Sequence, residues 1–336
     1  NFYIGVYMND IIFKLNSLEN LIGHTPLVEI SFIYKEKKMK VYAKLEYYNL
    51  TGSIKDRAAY YIITKAKERG ELKDGMPIIE ATSGNTGISL SALGKYYHHP
   101  VYIFMPDWAS KERVQIMQSY GAKVITFSKQ QGGFRKCIQE SRILAKKVNG
   151  FLANQFANMD NVLAQYETTG QEILNQVPED IVGFASGVGT GGTLMGIGRK
   201  LRRRYPEITV TAIEPECMPL ISKNRIIKQH KIEGIGDDFI PALLDKNEID
   251  KVILVNDEDS INMSRKLASE LGIGVGISSG ANFLGSVLLQ KNIKGPVVTV
   301  FADDNKKYLS TDLSKPIDNN EKYISNKIKL LQYEVI

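Results

Sequence analysis

Short apolar runs alternate with longer amphipathic stretches along most of the chain. In the first half the runs are "KVYAKLE", "MPIIEATSG", "PVYIFMP" and "AKVITFS", and between them lie "SIKDRAAYYIITKAKERG", "NTGISLSALGKYY" and "KERVQIMQSYG". The second half repeats the rhythm with "DIVGFASG", "GTLMGIGRKLRRR", "ITVTAIEP", "DSINMSRKLASELG" and "GPVVTVFAD". Near-continuous apolar runs predict strands buried on both faces, and the amphipathic stretches predict the helices that cover them. Strict alternation of the two predicts an α/β fold of two lobes, each an open, mostly parallel sheet flanked by helices. Ligands of such sheets bind beyond the carboxyl ends of the strands, where loops run into helix N-termini. The glycine-rich and Ser/Thr-rich loops of this sequence fall at those ends. No internal repeat, low-complexity segment or long linker interrupts the pattern.

Composition narrows the function classes. A chain of 336 residues exceeds the usual size of one core, which agrees with two lobes. No apolar run approaches the roughly 20 residues that span a bilayer, so no membrane partner is expected. The N-terminal "NFYIGVYMNDIIF" lacks the basic start, long apolar run and cleavage site of a secretory signal, and a cytoplasmic protein is the expectation. Cys137 and Cys217 stand far apart without Cys or His at ligand spacing, which argues against a disulfide framework or a metal site. His98 and His99 precede Pro100 at a predicted helix end and receive no catalytic role. The net charge of +6 is partly local to "RKLRRRYP", residues 199–206, where basic residues in the last turns of a helix complement its dipole. No base-reading module accompanies it, so a nucleic-acid partner is not expected.

Four loops carry candidate chemistry. "TGSIKDR", residues 51–57, places Lys55 at the start of an amphipathic helix, where the dipole disfavours a cation. A Schiff-base lysine explains that placement; a solvated lysine is the plainer alternative. "TSGNTG", residues 82–87, offers three hydroxyls, an amide and backbone N–H groups between a strand and a helix, a nest suited to a carboxylate, although capping needs only one of them. "GVGTGG", residues 187–192, literally satisfies a dinucleotide fingerprint, with Glu214 ending the next strand. Physically the loop predicts a phosphate at a helix N-terminus, whichever cofactor carries it, and a nicotinamide dehydrogenase is one reading. "GIGDDFIP", residues 234–241, sets Asp237 and Asp238 among glycines that permit sharp bends, either as a ligand-side loop or as a solvated turn.

In order and approximate spacing, Lys55 in "GSIKDR", then "TSGNTG", "GTGGT" (189–193) and "GISSGA" (276–281), resemble the cysteine synthase and cystathionine β-synthase family of fold-type-II pyridoxal-phosphate enzymes. "LIGHTPLV" near the N-terminus and "YLSTDL" near the C-terminus are similar as well, and the resemblance runs from about residue 18 to residue 313. It implies a tryptophan synthase β-subunit-like architecture. Residues 15–50 and 155–315 would form a larger domain that binds the cofactor's phosphate, residues 51–154 a smaller mobile domain, and residues 316–336 a tail with a polar link and a short helix. It also implies a homodimer. Lys55 would bond to the cofactor's aldehyde, Asn85 would contact its phenolic oxygen, and Ser278 would face its pyridine nitrogen. Gly189, Thr190, Gly191, Gly192 and Thr193 would cradle its phosphate, and Thr82, Ser83, Thr86 and Gln155 would hold the substrate's carboxylate.

The implied chemistry is β-elimination and β-replacement, because a serine opposite the pyridine nitrogen cannot hold a pyridinium as an aspartate would. Cysteine synthases tend to carry small residues where Asp237 and Asp238 stand. Asp238 is similar to an Asp of cystathionine β-synthases and joins the substrate-binding set, whereas Asp237 matches neither pattern. A carboxylate there would repel bisulfide but could deprotonate water. The expected reaction is therefore L-cysteine and water to L-serine and hydrogen sulfide. Cysteine synthesis from O-acetylserine and sulfide, and a cystathionine- or lanthionine-forming β-synthase, are the alternatives.

Overall fold

The structure, a computed structural model, describes residue 18, residues 20–316 and residues 320–336. The stretch weighed above as a secretory signal and residues 317–319 of the tail lie outside the described residues. The described strands are β1 (Leu27–Tyr34), β2 (Lys37–Leu45), β3 (Ile78–Ala81), β4 (Val101–Pro106), β5 (Lys123–Phe127), β6 (Phe151–Leu152), β7 (Gly183–Gly187), β8 (Thr209–Pro215), β9 (Lys251–Val255), β10 (Val297–Phe301) and β11 (Ile328–Val335). The helices are α1 (Lys55–Glu68), α2 (Asn85–Tyr96), α3 (Lys111–Ser119), α4 (Gly133–Lys147), α5 (Met159–Ala164), α6 (Gly170–Gln176), α7 (Gly192–Arg204), α8 (Leu220–Lys223), α9 (Asp257–Leu271) and α10 (Ile277–Gln290).

Two sheets result. The larger has the order β11-β1-β2-β10-β7-β8-β9, parallel from β2 to β9, with β1 and β11 added antiparallel at one edge. The smaller has the order β5-β4-β3-β6 and is wholly parallel. Every residue of β3 and of β10 is buried, as their unbroken apolar runs require when helices cover both faces. By contrast β1 alternates between buried and half-buried positions, the signature of an antiparallel strand with one face on the core. The helix stops are local: Asn256 caps α9 by accepting from the Asp259 N–H at 3.2 Å, and Gly272 ends it at φ +72°.

The tail departs from expectation. Residues after 316 were expected to form a polar link and a short helix; the last of them instead form β11, paired with β1 from Val28↔Val335 to Tyr34↔Ile328. Ile328 and Leu330 are buried against this chain's own core, while Leu331 and Tyr333 are exposed. The physical reason is the bare hydrogen-bonding edge that β1 would otherwise present. Asp259 anchors the approach to β11, accepting from the Ile324 N–H at 2.7 Å and the Ser325 N–H at 2.9 Å.

The basic run on α7 pairs within the chain. Arg199 binds Glu248 through two bonds of 2.8 Å, and Arg202 binds Asp250 at 2.5 Å.

Candidate active site

The loops singled out in the sequence all lie at the carboxyl ends of parallel strands. The segment after β2 leads to Lys55, and the one after β3 holds Thr82 and Ser83 before Asn85 opens α2. The turn after β7 holds Gly189, Thr190 and Gly191 before α7. A cavity of about 970 Å³ is lined by Lys55, Thr82, Ser83, Thr86, Gln155 and Asp237, among others. A narrow pocket of about 30 Å³ shares Lys55, Asn85, Gly189 and Thr190 with it and adds Gly191, Thr193 and Ser278. Gly192 lines neither: a Cβ there would fall 2.3 Å from the Asn161 side chain, so its part is close packing.

The narrow pocket is too small to hold a ring by itself, but the groups that line it where it meets the larger cavity suit a phosphorylated ligand. Gly189 has no room for a side chain, since a Cβ would meet the Gly234 carbonyl oxygen at 2.4 Å, and Gly191 sits at φ +86°. The turn can therefore pass its backbone N–H groups close to an anion at the N-terminus of α7. Thr190 Oγ1 accepts from Asn161 Nδ2 at 2.9 Å and from the Gly192 N–H at 3.2 Å, which leaves its own proton to donate. At the other side Asn85 donates to Asp303, and its Oδ1 is buried without a hydrogen-bond partner among the described residues, an acceptor available to a ligand. Ser278 is buried in the first turn of α10.

The carboxylate nest is tied together by residues that follow β3 and β6 of the smaller sheet. Thr86 Oγ1 donates to Gln155 Oε1 at 2.6 Å, and Gln155 Nε2 donates to the Ala81 carbonyl at 3.1 Å. Thr82 Oγ1 accepts from the Gly84 N–H at 3.1 Å. Glu80, which sequence reasoning missed, accepts from the Gln155 N–H at 3.0 Å, and burial pushes its carboxyl up to about 7 against its backbone hydrogen bonds.

Electrostatics distinguish the two neighbouring aspartates. Asp237 is pushed up to about 7, first by burial and then by the charge of Asp238, with Lys55 opposing. Asp238 is engaged elsewhere: Arg135 of α4 donates to its Oδ2 at 2.9 Å and to its carbonyl at 3.3 Å. Burial lowers the Lys55 amine, Asp303 and Asp237 pull it back up, and Lys307 lowers it further. Phe134 and Phe156 of the cavity lining pack with Phe239, with centroids 5.0 Å apart for Phe156 and Phe239. Arg113 of α3 pairs with Glu233 on the approach to Gly234.

The residue that a dinucleotide fingerprint would require is engaged in another task. Glu214 accepts from the Ile221 N–H at 2.8 Å and the Ser222 N–H at 3.0 Å, at the start of α8. Beyond Glu80, sequence reasoning missed Asp303, Tyr308, Arg113 and Asn161. The one available signal was that Asp303 follows the apolar run "VVTVF", at a strand's carboxyl end.

Comparison with known proteins is consistent with this site. The sequence profile of the family described as "Pyridoxal-phosphate dependent enzyme" matches residues 18–303. A probable cysteine synthase of Bacillus subtilis (strain 168) is 38% identical over 300 residues, covering 88% of this chain and 96% of that protein. The crystal structure of a hydrogen sulfide-producing enzyme from Fusobacterium nucleatum is 46% identical, with a TM-score of 0.92 over 96% of this chain and 98% of that one. A mutant of a hydrogen sulfide-producing enzyme complexed with an α-aminoacrylate intermediate is also 46% identical, with a TM-score of 0.94 over 96% and 99%.

Proposed function

The chain belongs to the cysteine synthase family of pyridoxal-phosphate-dependent enzymes, and on that premise we propose that it converts L-cysteine and water into L-serine and hydrogen sulfide. The observation that carries this reading is Asp237: a carboxylate lining the same cavity as Lys55, with its proton affinity raised to about 7. A group poised near neutrality is suited to take a proton from water, and at the same place its charge opposes an incoming bisulfide anion. Solved neighbours 46% identical are described as hydrogen sulfide-producing.

Pyridoxal phosphate, when bound, withdraws the electron pair left at the substrate's Cα once its proton has gone. Lys55 would hold the cofactor, Asn85 and Ser278 would orient its ring, and Gly189, Thr190, Gly191 and Thr193 would bind its phosphate. Thr82, Ser83, Thr86 and Gln155 hold the substrate's carboxylate and so fix which Cα bond faces Lys55. Burial keeps the freed Lys55 amine from holding its proton tightly, and it accepts the Cα proton. The Cβ–S bond breaks with its electron pair leaving on sulfur, which takes up a proton. Water then adds at Cβ while Asp237 removes its proton, and Lys55 returns a proton to Cα. One cysteine and one water yield one serine and one hydrogen sulfide.

Replacing Asp237 by Asn tests the reading. A first equivalent of sulfide is expected at the parent rate, with serine release thereafter slowed by roughly 10²-fold or more, the size of a general-base contribution. Parent rates for both products would remove Asp237 from the mechanism. The second reading is cysteine synthesis from O-acetylserine and sulfide, favoured by the name of the Bacillus subtilis relative. Side-by-side assay of cysteine alone against O-acetylserine plus sulfide separates the two.

A further inference from the structure

Asp303 takes part in none of the steps above, yet four segments of the site meet at this residue, two on its carboxylate and two on its backbone. It follows β10, whose parallel neighbour β2 leads into the lysine loop. Ser53 and Asp303 form an isolated antiparallel bridge, and the Ile54 N–H donates to the Ala302 carbonyl at 2.9 Å, which sets the backbone before Lys55 against Asp303. Asp303 Oδ2 accepts from Asn85 Nδ2 at 2.7 Å and from the Tyr308 hydroxyl at 2.6 Å. The Gly276 N–H, just ahead of Ser278, donates to the Asp303 carbonyl at 3.0 Å. A Cβ at Gly276 would fall 2.0 Å from Asp303 Oδ1, so that oxygen presses on bare backbone. The side chain is fully buried, and Oδ1 has no hydrogen-bond partner among the described residues. A buried oxygen left unpaired is costly, and its retention two residues across a backbone bridge from Lys55 calls for a functional reason.

We propose that Asp303 is an electrostatic positioning residue: its Oδ2 fixes the Asn85 amide, and its charge holds a proton at Lys55 Nζ. The proposal rests on the reading that Lys55 carries the cofactor. Asp303 is the leading charge that favours the protonated Lys55, with Asp237 second, against the larger effect of burial and against the like charge of Lys307. Tyr308 is raised well above its ordinary value by burial and by Asp303, so it keeps its proton and donates. The Arg113 guanidinium lies 4.5 Å from the Tyr308 ring centre, and Asp304 and Asp56 face Lys307. Asp303 takes one N–H of the Asn85 amide and so fixes its orientation, leaving the second N–H and the carbonyl oxygen for a ligand.

The test uses the holoenzyme, whose visible absorption, titrated with pH, reports the proton at Lys55 Nζ. Asp303→Asn keeps an oxygen for Asn85 and Tyr308 while removing the charge. Its titration midpoint is expected about one pH unit or more below that of the parent, since an adjacent opposite charge shifts a group by roughly that much. Should the parent hold its proton to the alkaline limit of folding, the variant is expected to titrate within the range where the parent does not. Lys307→Met, which removes a like charge, is expected to move the midpoint upward. An unchanged band in Asp303→Asn overturns the proposal, whatever happens to turnover, because a purely structural role would not move it. If Asp303→Asn does not fold, Asp303→Ser, which is smaller than the native residue, carries the same expectation. Hydride trapping of the parent with peptide mass spectrometry stands apart: a tag absent from Lys55 defeats the underlying reading, whereas a tag on Lys55 with an unmoved band defeats only the role of Asp303.

Discussion

Asp237 and Asp238 are adjacent in sequence, yet their surroundings differ. Asp238 is held by Arg135, while Asp237 is raised to about 7 by burial and by the charge of Asp238. A base must be deprotonated to accept a proton, so serine formation is expected to rise as the pH is increased through about 7 and to fall below it. Asp238→Asn removes a charge that raises Asp237, and the acid limb of the rate profile is expected to move to lower pH. A limb that stays in place in both Asp237→Asn and Asp238→Asn, measured as serine release across the pH range, would assign it to another group. The sequence showed this loop as acidic and glycine-rich. Which carboxylate stayed free depended on Arg135, about a hundred residues earlier.

At the scale of elements, Lys55 is held by the helix it opens. Arg57 of α1 is buried between two carboxylates, donating to Glu46 at 2.7 and 2.8 Å and to Glu172 of α6 at 2.5 and 2.8 Å. Lys44 of β2 adds a bond to Glu172 at 2.7 Å. This fixes the first turn of α1 against both β2 and α6, and with it the direction of Lys55. Burial alone would raise Glu172, but Arg57 and Lys44 more than offset it and bring it down to about 2 from an ordinary 4.5. Its folded value is depressed, so its contribution to stability is complete above 4.5 and is lost as the pH falls toward about 2. Glu172→Gln is expected to cost about 3 kcal/mol at neutral pH, because it leaves buried cations short of a partner. Urea unfolding should show that loss and a flatter stability profile over the same acid window. An unchanged acid profile would make the network electrostatically idle.

At the scale of the molecule, side chains near the cavity join the helices of the smaller sheet to the segments around residues 233–239 and 303–310. Arg135 to Asp238, Arg113 to Glu233 and the Phe134, Phe156 and Phe239 cluster join α3, α4 and the segment after Gln155 to the stretch around residues 233–239. The Arg135 side chain is 70% exposed, and a rim ion pair of this kind contributes at most about 1 kcal/mol. Arg135→Ala is therefore expected to leave the urea midpoint nearly unchanged while raising KM for cysteine several-fold, since the loop that carries Asp237 and Asp238 loses an anchor at the cavity lining. A fall in stability with KM unaltered would identify the contact as packing only. Periodicity and loop chemistry by themselves determined the alternation of strands and helices, the parallel sheets, and the lysine, hydroxyl and glycine loops at strand ends, because each is set by residues within a few positions of one another. Tertiary structure alone decided that the tail closes the β1 edge as a strand and that Glu214 caps a helix instead of meeting a ribose. It also decided that Asp303 meets Asn85 across 218 residues of chain. Those outcomes depend on which backbone edges and buried charges need partners after the core has formed, and a linear pattern carries no record of such distant pairings.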